Sequence, residues 1–145
     1  MAKSTSACNS ILALIFNATA WADLAENDTS GPLSSLYISL HTADPGVGGS
    51  QLTNEATYAN YARLAVTRNT SGWDIPTSGH TQNTALAQFN ACNSSGANSI
   101  THVAIGKASS GAGLVLYSGA LGSPRTVDNG IQPQFAIGAL VVTES

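Results

Sequence analysis

The chain has 145 residues, of which 43% are apolar and only 9% charged, and its formal net charge is −3. Ordinary domains carry about 25% charged residues, so Ser, Thr, Asn, Gln and Gly must build most of this surface. Lys3, Arg63, Arg68, Lys107 and Arg125 are scattered, which disfavours nucleic-acid binding because phosphates need clustered cations; nor does any apolar run approach the roughly 20 residues of a membrane helix. The length fits a single domain, residues 1–145, large enough for one proper core.

The first element is helical. Lys3, the apolar run at 11–16 and Ala18-Thr19-Ala20 imitate a signal peptide, but the run is shorter than a usual apolar region, so the segment reads as retained and the protein as soluble and assembled in the cytoplasm. Ile11, Leu14, Ile15, Ala18, Trp21, Ala22 and Ala25 recur at steps of three and four, which predicts a helix over residues 8–25. Ser6 or Ser10 is its expected cap, and Asn27-Asp28-Thr29-Ser30-Gly31-Pro32 its expected end. The apolar stripe should pack across one end of a sheet or meet a neighbouring subunit.

Residues 1–31 thus form an N-terminal helical segment, and residues 32–145 change to short β-type runs. Strands are predicted over 36–41, 61–67, 85–89, 101–105, 114–117 and 140–143, with a weaker extended stretch at 134–137. Between most of them stand breakers: Asp44-Pro45-Gly46, Asn69-Thr70-Ser71-Gly72, Ser94-Ser95-Gly96, Ser109-Ser110-Gly111, Gly122-Ser123-Pro124 and Asp128-Asn129-Gly130. Repeated strands without helical patterning predict a mainly β fold, an antiparallel β-sandwich of jelly-roll-like form with one N-terminal helix. Alternation in 36–41 sends Leu36, Ile38 and Leu40 to the core and Tyr37, Ser39 and His41 outward or toward a partner. The Gly-rich connection at 43–51 reads as a surface loop for contact with neighbours.

No residue pattern assigns a catalytic, cofactor-binding or metal site. Gly46-Val47-Gly48-Gly49 lacks the Lys-Ser or Lys-Thr of a phosphate loop. His41 and His102 alternate with apolar neighbours and point away from the core, and His80 falls in a loop, so a hydrolase built on any of them finds no support in spacing. Carboxylates are too dispersed for a glycosidase pair. Tyr58, Tyr61 and Trp73 lie near loops where a glycan-binding platform is conceivable, although most aromatics should fill the core. Cys8 and Cys92 fit no redox or zinc spacing and read as buried free thiols, with a disulfide left open. The sequons at Asn17, Asn27, Asn69 and Asn93 are expected by chance in such a composition.

Four segments taken together carry a resemblance: residues 36–46, Tyr58-Ala59-Asn60-Tyr61-Ala62-Arg63, residues 100–106 and residues 131–140. In their order and spacing the chain resembles a family of small tailed-bacteriophage structural proteins, of the tail-fibre-like or head-decoration kind. The resemblance runs from about Leu36 to Glu144 and implies no catalytic residues. It implies a noncatalytic virion protein. Capsid decoration, as a cement protein on the head exterior, is the first expectation, and a tail-fibre or baseplate component binding a host-surface glycan the alternative. Expected partners are the major capsid protein or other virion proteins and further copies of the chain, as a homo-oligomer such as a trimer; no cofactor, nucleic acid or membrane is expected.

Overall fold

The computed structural model describes residues 3–21, 25–26 and 30–145. Among these, one helix, α1 (Thr5–Phe16), precedes eight strands: β1 (Ser35–His41), β2 (Leu64–Thr67), β3 (His80–Gln82), β4 (Ala87–Gln88), β5 (Asn98–Gly106), β6 (Val115–Val127), β7 (Gln134–Phe135) and β8 (Val141–Thr143). They form a four-stranded sheet in the order β2-β1-β5-β6 and two-stranded sheets β3-β8 and β4-β7. The ladders β1/β5, β5/β6 and β3/β8 are antiparallel. The protein is therefore mainly β with one N-terminal helix, as the strand and breaker pattern predicts. Contacts gather it into two compact units, one of Met1–Ser35, Thr67–Ala87 and Phe135–Ser145, the other of Leu36–Val66 and Gln88–Gln134.

In the first unit α1 is shorter than its periodicity implies and begins earlier. Ser4, not Ser6 or Ser10, caps it, its Oγ accepting from the Ala7 N–H at 3.2 Å. The helix stops at Phe16 because the chain turns through Ala18 at φ +53°, where the Ala13 carbonyl accepts from both Asn17 and Thr19 N–H. Arg68 closes that end from a distant part of the sequence: its guanidinium donates to the carbonyls of Leu14 and Ile15, both at 2.7 Å, which the helix leaves unpaired. Asn27, Asp28 and Thr29, the expected stop, lie outside the described residues, as does Ala22 of the expected stripe.

The buried helical residues are Cys8, Leu12 and Phe16, spaced by four, and not the predicted stripe through Ile11, Leu14 and Ile15, which are half-buried. Phe16 meets Trp73 edge to face with ring centroids 4.7 Å apart, and both side chains are fully buried. The face through Cys8, Leu12 and Phe16 thus finds cover within its own chain. His80 lies in β3, not in a loop, because β8 supplies a ladder His80↔Thr143, Thr81↔Val142 and Gln82↔Val141 that the polar sequence His-Thr-Gln does not announce. Asn83 knits the unit together, donating to the Ala85 and Ala136 carbonyls and accepting from the Leu140 N–H.

In the second unit β1 lies between β2 and β5, and Leu36, Ile38 and Leu40 are buried as their alternation predicts. Ser39 and His41 correct the other half of that expectation: each is 0% exposed. Residues 50–56 fold back against this end of β1, with Thr42 N–H donating to Asn54 O and Ala56 N–H to Leu40 O, both at 2.8 Å. The predicted strand at 61–67 is confined to Leu64–Thr67, and that at 114–117 is the start of a much longer β6. Gly122-Ser123-Pro124 does not break β6. Ile100 pairs with Arg125 and His102 with Ala120, so residues 121–124 bulge opposite Thr101, where proline costs no ladder bond.

Candidate functional site

Polar side chains that sequence reading places on the surface converge inside the second unit. Ser39 Oγ lies 2.9 Å from His41 Nε2, and His41 Nδ1 lies 2.8 Å from the Thr53 carbonyl. A neutral imidazole satisfies both contacts, donating from Nδ1 to the carbonyl and accepting the serine proton at Nε2. Burial holds the His41 pKa below its ordinary value, opposed in part by the hydrogen bond to Thr53.

Glu55, Tyr61 and Arg63, which sequence reading does not join into one cluster, extend this interior. The Glu55 carboxylate accepts from Arg63 Nε at 2.6 Å and Nη2 at 2.8 Å, and its Oε1 also accepts from the Tyr61 hydroxyl at 3.0 Å. That hydroxyl accepts in turn from the Leu40 N–H, and burial pushes its pKa up, which keeps it protonated as a donor. The rest of the Arg63 fork donates to the carbonyls of Ala108 at 2.9 Å and Gly111 at 2.6 Å. Side-chain exposure is 2% for Arg63 and 10% for Glu55, so this pair is a bidentate interior clamp. A Glu and an Arg eight residues apart, among tyrosines in so uncharged a chain, are the signal that could have marked it.

Gln51 completes the interior. Its Nε2 donates to Tyr37 O at 3.2 Å, its Oε1 accepts from Ala108 N–H at 3.0 Å, and its own N–H donates to Gly113 O at 2.8 Å. A Cβ at Gly106 or Gly113 would run into this side chain, so the slot depends on both glycines. The connection at 43–51 is accordingly anchored at both ends: Pro45 and Gln51 are buried, and Asn54 Nδ2 donates to Asp44 O at 3.0 Å. Ala43, Asp44 and residues 46–48 are exposed, Val47 at the tip fully so.

The arrangement has limited chemistry. A Ser-His pair at 2.9 Å resembles the start of a nucleophilic dyad, but Nδ1 is oriented by a backbone carbonyl, Glu55 is committed to Arg63 and Tyr61, and neither Ser39 nor His41 meets solvent. Of the other histidines, His80 is exposed and His102 half-buried with Nδ1 2.8 Å from Thr101 Oγ1. Among the described residues no three His, Cys, Asp or Glu side chains gather where they could hold a metal ion. The possible glycan platform is not assembled: Tyr58 and Trp73 are buried, and Tyr61 stacks on Phe89 with centroids 6.4 Å apart. Burial pushes the Tyr58 hydroxyl up to about 12, and it donates to Asn90 O. Cys8 and Cys92 are free and buried.

His41 carries a pH prediction. Its folded-state pKa lies below the ordinary 6.5, so the unfolded chain takes up a proton that the folded chain resists. The stability this contributes is fully present above the unfolded pKa and is lost as pH falls through it toward the folded value. Urea denaturation should therefore show stability declining as pH falls through the ordinary value of 6.5, and His41→Asn should flatten that decline. An unchanged decline in His41→Asn would refute the assignment.

The polar groups of this interior serve as scaffolding in a β-rich chain of low charge. The chain matches, over residues 2–143, the model of the family described as "Podophage GP4 fiber I protein gp80", and it belongs to that family of tailed-phage virion structural proteins. A comparison with the curated proteins found no match. Among the described residues no helix is long and apolar enough to cross a membrane.

Proposed function

We propose that the protein is a noncatalytic subunit of a virion fibre. The observation that carries this is the match to a fibre protein across residues 2–143, nearly the whole chain. The geometry supports it: the Ser39–His41 pair is sealed, and the Glu55–Arg63 clamp serves to hold the folded chain together. Two of the five cations are spent internally, Arg63 on Glu55 and two carbonyls and Arg68 on the end of α1 and the Leu33 carbonyl, and Lys3 pairs with Glu144. Little positive surface remains for nucleic acid, so the partners are other virion proteins and sister copies, met through apolar and amide contacts with weak salt dependence.

Capsid decoration, the first expectation from sequence, is the second reading. The anchored loop at 43–51, with fully exposed Val47 at its tip and exposed Leu52 beyond, would suit docking on a head lattice. Labelling the protein in intact particles separates the two. Density confined to fibres supports the first reading; an even distribution over the head replaces it with the second.

A further inference from the structure

The connection after β6 carries the one Asn-Gly pair in the chain, Asn129-Gly130, and both residues are exposed to water. Asparagine is thermolabile, most of all before glycine, where no Cβ screens its side-chain amide from attack by the following backbone nitrogen. That attack needs a free nitrogen. Its proton must leave before its electron pair, otherwise shared with the peptide carbonyl, can form a new bond. The turn withholds this nitrogen. Gly130 N–H donates to the carbonyl of buried Cys92 at 2.8 Å, and Cys92 N–H donates back to Ile131 O at 3.0 Å. Ile131 N–H closes the turn on Asp128 O at 2.9 Å, with Gly130 at φ +83°, where a type II turn asks for glycine. Asp128 Oδ1 steadies the arrangement, accepting from Asn129 N–H at 2.8 Å and from Gly96 N–H at 3.3 Å.

We infer that Asn129 is a self-modification site gated by this turn, converting to aspartate or isoaspartate only when the hydrogen bond from Gly130 to Cys92 opens. In the open turn hydroxide takes the Gly130 amide proton, and the nitrogen bonds to Asn129 Cγ. The bond from Cγ to Nδ2 then breaks, and ammonia leaves with a proton from water, which restores the hydroxide. Water adds to one carbonyl of the resulting imide ring. Breaking the bond from Gly130 N to Cγ gives aspartate; breaking that to the backbone carbonyl carbon of Asn129 gives isoaspartate, whose main chain runs through Cγ. Nothing is oxidised or reduced. Either product is lasting: aspartate sets a second carboxylate beside Asp128, and isoaspartate lengthens the main chain by one carbon, so that Gly130 no longer meets Cys92 in the same register. The site thereby records openings of the connection between β6 and β7, in a fibre subunit and a head protein alike.

The test uses the full chain, held folded and in urea in the same mildly alkaline buffer, with the conversion of amide to acid followed by mass spectrometry of tryptic peptides. Cleavage after Arg125 isolates residues 126–145, in which Asn129 is the only asparagine. In urea this peptide should convert ahead of every other asparagine-containing peptide. In the folded chain it should convert at least about tenfold more slowly, and amide exchange at Gly130 should be slowed to a similar extent, because both need the same opening. That comparison needs no variant. Asp128→Ala, which removes the acceptor of the Asn129 and Gly96 N–H groups, should speed conversion in the folded chain about tenfold, the worth of hydrogen bonds to a charged group. Equal rates in the folded chain and in urea overturn the inference. So does another asparagine that converts first in urea, or a folded Asp128→Ala chain that converts as slowly as its parent.

Discussion

Arg63→Ala is expected to cost about 3–5 kcal/mol of folding stability, the range for removing one partner of a buried ion pair. The reason is what remains. Glu55, with 10% of its side chain exposed, would lose the fork that satisfies both oxygens, and the carbonyls of Ala108 and Gly111 would lose their donor. Glu55→Ala should cost a similar amount, because it strands the guanidinium and removes the acceptor of the Tyr61 hydroxyl. Replacing both together with apolar residues of similar volume, Arg63→Met with Glu55→Leu, should recover part of the loss, since no buried charge is then unpaired. Urea denaturation of the four proteins, followed by circular dichroism, measures this. A loss below about 1 kcal/mol for Arg63→Ala would place the pair among exposed salt bridges and contradict its burial.

Trp73→Ala should be comparably severe, at about 3–5 kcal/mol, the usual cost of truncating a large buried aromatic to alanine. Trp73 is 0% exposed and packs edge to face on Phe16, through which it holds α1 in the first unit. Trp73→Phe should cost less than Trp73→Ala, since it keeps an aromatic ring against Phe16 and removes an indole N–H that is buried without a partner. Thermal melts followed by far-ultraviolet circular dichroism test the ranking. If Trp73→Phe proved as damaging as Trp73→Ala, ring contact with Phe16 would not be what secures the helix.

Much of the second unit's central strand was legible from local pattern. Alternation over 36–41 gives both the strand and the burial of Leu36, Ile38 and Leu40, because successive strand residues point to opposite faces whatever the rest of the chain does. Breaker clusters likewise place turns, as at Gly46, Gly111 and Gly130, which adopt positive φ. The same locality explains the failures. Helical period cannot register a stop at Ala18, which has no glycine's freedom, nor the Arg68 fork that receives the last carbonyls from more than fifty residues away.

Sequence by itself determined a mainly β, charge-poor chain with no recognisable catalytic pattern, since composition and short-range period are properties of neighbouring residues. Only tertiary structure decided what polar residues do. Ser39 and His41 read as outward because a strand's period names two faces without saying whether the second is covered; residues 50–56 cover it. His80–Gln82 becomes a strand because β8 supplies the ladder, and β6 passes through Gly122-Ser123-Pro124 because a bulge takes the proline out of register. The Glu55–Arg63 clamp is likewise a product of folding: a charged pair becomes interior scaffold when packing excludes water and brings backbone carbonyls to satisfy the remaining donors.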